Sequence, residues 1–185
     1  MDNQYVVGID PSFTRTGLAL AYYKDGSVTI KEVCSISAPT YHDNKYQLEY
    51  TMQGSDFLAR EILKQIARWN KQYPVSLCVI EYPVLATRSG SYLGLIQQAL
   101  YMLYPWLGVP VQGVPSTAIK SMTKYKTKTQ LVKWCQENLK FDCETTRKGR
   151  WCINHDECSG AVLAMIGLLI RTESYNKSHK IFYPR

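Results

Sequence analysis

One stretch constrains this chain more than any other: the apolar run Val6-Val7-Gly8-Ile9, which closes on Asp10 and Pro11. A short apolar run bounded by a breaker reads as a buried strand. Pro11 has no N–H to give a ladder, so the strand stops there. A carboxylate at that point is fixed where the sheet meets solvent, with little freedom left to lose when it binds something. A second run, Leu77-Cys78-Val79-Ile80, closes the same way on Glu81, and Pro83 follows. A third acidic pair, Asp156-Glu157, opens a late apolar helix. Each acid alone has a plainer reading. Asp10 before proline suits a turn, Glu81 a solvated strand end, and Asp156-Glu157 the positive end of a helix. The joint pattern points instead to one shared site. Hard oxygen donors of this kind suit Mg2+, with Mn2+ as a substitute. Two such ions about 3.5–4 Å apart activate water and stabilise the leaving oxygen in phosphodiester hydrolysis.

The 185 residues suit one domain with a large core. The formal net charge of +7 favours a polyanionic partner such as nucleic acid. No apolar run reaches the roughly 18 residues that span a bilayer. The N-terminus is polar and carries no secretory signal, and six cysteines are simplest as free thiols in a reducing compartment; both suit a cytoplasmic location. A zinc-like pattern, Cys152-x2-His155-x2-Cys158 with Cys143, is disfavoured because Cys158 falls inside a helix.

Patterning predicts strands over 4–10, 17–23 and 28–36, with Asp25-Gly26 at a hairpin turn. Residues 39–51 read as a polar loop. Phe57, Leu58, Ile62, Ile66 and Trp69 recur at helical spacing. The Glu81 strand follows, and a crossover of that length implies parallel pairing. A helix from Ser89 to Trp106, a fifth strand over 110–114, helices from Ser116 and over 127–139, a basic loop over 142–153 and a last helix over 154–171 complete the chain. Residues 173–185 form a polar tail. The economical fold is α/β: one domain, a mixed five-stranded sheet flanked by helices.

Val7-Gly8-Ile9-Asp10-Pro11-Ser12 with Thr16-Gly17 resembles the opening strand and turn of the RuvC-type Holliday junction resolvases. Val79-Ile80-Glu81 resembles their second acidic strand end. Val114-Pro115-Ser116 with Ile119-Lys120 and Gln130-Leu131-Val132 resembles the segment after the fifth strand. His155-Asp156-Glu157 with Ala161 through Ala164 resembles the terminal acidic helix. The matches run in order along nearly the whole chain and suit a compact, phage-like member. The resemblance implies an RNase H-like fold, a homodimer, two Mg2+ per site and paired symmetric nicks in four-way DNA junctions, a role in recombination and repair. It makes Asp10, Glu81 and Asp156 the catalytic metal ligands. The family's last helix usually carries two acids three residues apart, and the second position falls on Ser159 here. Serine is a poor ligand for a hard cation. His155, four residues before Ser159, and Glu157, turned about 100° from Asp156, are the lesser candidates beside Ser159 itself. The alternative is therefore a junction-binding protein of the same fold that cuts poorly.

Lys120, Lys124, Lys126, Lys128 and Lys133 cluster after the fifth strand, and Arg147, Lys148 and Arg150 precede the acidic helix. Such flanks neutralise phosphates; a solvated helix face is the plainer reading of the lysines. Five phosphate contacts would give a log–log salt slope of about −4 to −5. Arg15 and Arg88 are further backbone-contact candidates. Tyr82 lies in the loop that probes the junction centre in the resembled family, where an apolar wedge opens base steps. A minor alternative comes from Gly8 to Gly17, which also resemble the first phosphate loop of sugar-kinase and actin-like ATPases, although no second such loop follows.

Overall fold

The computed structural model describes residues 4–12, 14–24, 27–39, 47–81 and 108–171. Three antiparallel strands open the chain: β1 (Tyr5–Asp10), β2 (Arg15–Lys24) and β3 (Ser27–Ser37). Lys24 pairs with Ser27, which leaves a two-residue hairpin connection; its central Asp25 and Gly26 lie outside the described residues. Helix α1 (Gln47–Gln72) then crosses to β4 (Val75–Glu81), which pairs parallel with β1. Strand β5 (Val111–Val114) pairs parallel with β4. Helices α2 (Ser116–Thr123) and α3 (Lys128–Asn138) follow, and α4 (His155–Arg171) ends the described chain.

Three expectations need correction. The sheet has six strands in the order β5-β4-β1-β2-β3-β6, because β6 (Lys140–Phe141) adds parallel to β3. Two residues are too few to show an alternating pattern. The basic stretch 142–153 is not all loop: β7 (Thr146–Arg147) and β8 (Arg150–Trp151) form a small hairpin. Lys148 and Gly149 turn it with φ of 51° and 72°, the paired positive values of a tight primed turn. Helix α1 starts at Gln47, inside the expected 39–51 loop. Gln47, Leu48, Glu49 and Met52 are good helix formers, and polar composition alone does not separate a helical turn from a loop. The expected helix from Ser89 to Trp106 and the tail 173–185 lie outside the described residues.

Side chains alternate across a strand, and this divides the core in two. Val7, Ile9, Leu18 and Leu20 face α1 through Leu58, Ile62, Ile66 and Trp69. Val6, Ala19, Ala21 and Val79 face α4 through Ala161, Ala164 and Leu168, with Leu131 and Cys135 of α3 beyond. Parity then settles where the acids point. Asp10 shares the face of Val6, and Glu81 that of Leu77 and Val79, so both face α4.

Glycines let α4 lie against the sheet backbone. A Cβ at Gly8 would stand 1.9 Å from the Gly160 carbonyl oxygen and 2.4 Å from the Ala164 nitrogen. A Cβ at Gly17 would stand 2.0 Å from the carbonyl oxygen of Asp156. Gly17 is the β2 partner of Asp10. The bare strand at Gly17 therefore seats the start of α4 directly beside Asp10.

Candidate active site

Strand register places the acids at one edge. Ile9 pairs with Ile80, so Asp10 and Glu81 end neighbouring parallel strands at the same level. The Asp10 and Glu81 carboxyls act directly on each other, and the Ser159 hydroxyl acts on Asp10. Two acids in contact cannot both stay ionised comfortably. Burial, and then the Glu81 charge, push Asp10 up to about 8; Asp156 adds to this, while the Ser159 hydrogen bond and Lys128 oppose it. Burial also raises Glu81, against the pull of Lys120 and the Asp10 hydrogen bond.

Asp156 is held differently. Its Oδ1 lies 2.7 Å from His155 Nε2, and Lys128 Nζ lies 2.7 Å from that same nitrogen. One ring nitrogen serves one partner at a time. Protonated, Nε2 donates to Asp156; bare, it accepts from Lys128 and leaves Asp156 to another partner. Among the described residues no three His, Cys, Asp or Glu side chains are gathered tightly enough to cage an ion. The site is a carboxylate pair with a third acid, Asp156, in electrostatic reach and held by His155. The donor set still fits a hard divalent cation: all-oxygen, crowded, and carrying a proton that a cation would displace.

Glu157, a lesser ligand candidate, works elsewhere. Its Oε2 accepts from the Asn154 backbone N–H at 2.9 Å, while Asn154 Oδ1 accepts from the N–H groups of Asp156 and Glu157 at 3.0 Å. This is a capping box, and the Asn154 side chain also donates to Ser35 Oγ at 3.3 Å. Replacing Asn154 with Ala should lower stability by about 1 kcal/mol, read as a lower urea midpoint; an unmoved midpoint would show the cap dispensable.

Lys120, Lys124, Lys126 and Lys128 are exposed, as are Arg147, Lys148 and Arg150 on the β7–β8 hairpin; Lys120 acts on Glu81 and Lys128 on Asp10. Lys133 is exposed with Glu137 at 3.7 Å. Arg15 donates from Nε to Ser37 Oγ at 3.3 Å. Tyr82 and Arg88 lie outside the described residues. The sequence reading missed Tyr125, whose phenol is raised by burial and then by the charges of Glu81 and Asp10. Lys124, at φ 54°, turns the chain just before it; nothing in hydrophobic spacing signals that. The cysteines are free. Cys158 is buried, and the Cys135 thiol reaches its carbonyl oxygen at 3.8 Å. No helix among the described residues is long and apolar enough to cross a membrane.

No family model and no curated protein matches this sequence. Solved structures do match. RuvC of Thermus thermophilus in complex with a Holliday junction substrate aligns with a TM-score of 0.64 over 91% of this chain and 96% of that one, at 12% identity. A second T. thermophilus RuvC structure gives 0.63 over 92% and 97%, also at 12% identity. Fowlpox virus resolvase in complex with substrate Holliday junction DNA gives 0.55 over 88% and 97%, at 10% identity. The chain shares its fold with these resolvase structures.

Proposed function

We propose that this protein is a divalent-metal-dependent endonuclease that resolves four-way DNA junctions. The carrying observation is the carboxylate pair Asp10–Glu81 at one sheet edge, with Asp156 brought beside it over Gly17. Asp10 and Glu81 would hold Mg2+ or Mn2+, joined by Asp156 once Lys128 takes over His155. Two ions bound there would supply an activated water and offset charge on the leaving oxygen. Lys120, Lys124, Lys126 and Lys128 would hold the phosphates on either side of the cut. Paired symmetric nicks need two such sites, which fits a homodimer. Incubating the protein with a synthetic four-way junction and Mg2+ should give paired nicks, and with EDTA none. Intact junction under both conditions would contradict cleavage.

A second reading has its own observation. Ser159 stands where a further acid is expected, is 7% exposed, and gives its hydroxyl to Asp10. A protein so built would bind junctions and turn over slowly. On that reading the wild type binds a four-way junction without nicking it in Mg2+ or Mn2+. Ser159→Asp then gains nicking by about 10²-fold or more, the scale of a positioned charge at the reacting centre. Wild-type nicking faster than that of Ser159→Asp would remove this reading.

A further inference from the structure

The β7–β8 hairpin is built against its own stability. Arg147 and Arg150 are directly opposed across it, and like charges in that relation repel. Lys148 between them holds a left-handed backbone at φ 51°, which only a few per cent of non-glycine residues adopt. No carboxylate pairs with any of the three among the described residues, whereas Lys31, Arg60, Lys64 and Lys133 each have an acid within 4.0 Å. Three unpaired cations within four residues are relieved together by one kind of ligand, a polyanion.

The hairpin is nonetheless held firmly at its base. Trp151 stacks edge-on against Phe141, with ring centroids 5.2 Å apart. The Cys152 N–H donates to the Thr145 carbonyl at 2.8 Å, and the Asp142 N–H to that of Ile30. Lys31 and Asp142 pair at 2.6 Å. A rigid frame under a repelling tip is what a contact point needs, since little ordering remains on binding.

Its place is fixed relative to the acids. Asp10, Gly17 and Ser35 are successive partners across β1, β2 and β3. Asn154, three residues after Trp151, bonds Ser35. At a strand spacing near 4.8 Å, Ser35 stands about 10 Å from Asp10; Ile30, which holds the hairpin base through the Asp142 N–H, pairs across β2 to the level of Val6 and stands about 16 Å from Asp10. Lys120 acts on Glu81 at the opposite end of that row.

We infer that the β7–β8 hairpin is a second DNA contact, which grips the backbone of a duplex arm several base pairs away from the phosphate at the acids. This rests on the junction-binding reading above. With one DNA charge per about 1.7 Å of axis, an offset of about 10–20 Å corresponds to about six to twelve phosphate charges, or three to six base pairs.

The test measures junction binding against salt for the wild type and for Arg147→Ala/Lys148→Ala/Arg150→Ala, on junctions whose arms are unmodified or carry neutral methylphosphonate linkages over the third to sixth base pairs. On unmodified arms the triple variant should bind about tenfold or more weakly, and its log–log slope should shrink by about 2 to 3. On the neutralised arms the two proteins should bind alike. Lys148→Asn, a residue that tolerates the left-handed turn, should shrink the slope by about 1, and Arg147→Lys/Arg150→Lys should leave it unchanged. Those single-charge and charge-keeping variants separate lost contacts from misfolding. Wild-type protein that binds no junction overturns the junction reading itself. Wild-type binding with an unchanged slope in both the triple variant and Lys148→Asn overturns the hairpin contact alone.

Discussion

Asp10→Asn should abolish metal-dependent junction nicking, by about 10³-fold or more, and at the same time raise the melting temperature of the metal-free protein. The two effects share one cause. The acid is pressed against Glu81 in a site that disfavours charge, and its pKa stands near 8 against an ordinary value of 3.8. The folded state therefore holds a proton that the unfolded chain releases. Stability contributed through this group is greatest at low pH and falls as pH rises from about 4 to 8. Asparagine cannot ionise, so the variant escapes that loss. At neutral pH the gain should be about 2 kcal/mol or more, or about 4–8 °C in Tm for a chain of this size. Thermal melts of wild type and variant across that pH range, in EDTA, check it. The curves should meet near pH 4 and diverge towards pH 8. A variant less stable than wild type at neutral pH would show that Asp10 ionises without strain. Added Mg2+ should stabilise the wild type and leave the variant unmoved, because the ion displaces the proton that Asp10 holds.

Adding a single methyl group at either of two glycines should be nearly as damaging, each by a different route. Gly8→Ala places a Cβ against the backbone of Gly160 and Ala164 in mid-helix. Neither atom is the end of a flexible side chain, so the helix must lift. Overpacking of this kind costs about 1–3 kcal/mol and here more, since backbone has to move; a urea midpoint reads it. Gly17→Ala meets the carbonyl of Asp156 instead. It lifts only the first turn of α4, the turn that carries the third acid. A misplacement of about 1 Å at a reacting centre lowers rates by about 10²-fold. Nicking should therefore fall by that order while stability falls less than in Gly8→Ala. Equal loss of stability in both variants would mean that α4 moves as one rigid body and that Gly17 does not position Asp156 separately.

Much of this was legible in the sequence because it rests on periodicity and on breakers. The Val6–Asp10 and Leu77–Glu81 runs each end at an acid with proline close behind, and the strands end there. Which face Asp10 and Glu81 share is not readable there, because both runs are apolar throughout and show no alternation. The crossover length between β3 and β4 gave the parallel pairing. What was missed is local. Asn154 and Glu157 spell a capping box, a spacing visible in the sequence, but the charge of Glu157 beside Asp156 suits a metal ligand equally well. Gly8, Gly17 and Gly160 mark close backbone approach, yet which segment approaches is a tertiary fact. Strands β6, β7 and β8 are two residues each, below the length at which alternation exists. Tyr125 comes within the field of Glu81 and Asp10 just after a left-handed turn at Lys124, a residue whose type does not announce it. The contact of His155 with both Asp156 and Lys128 needed the helix start and α3 to be placed together.

The central claim is that Asp10, Glu81 and Asp156 form one divalent-cation centre. Anomalous diffraction from crystals soaked in Mn2+ tests it most directly. The expected map has its strongest peak between the carboxylates of Asp10 and Glu81, with Asp156 turned from His155 towards it, and no such peak in Asp10→Asn crystals. A map in which Mn2+ binds elsewhere, with Asp10 and Glu81 still sharing their proton, would contradict the account.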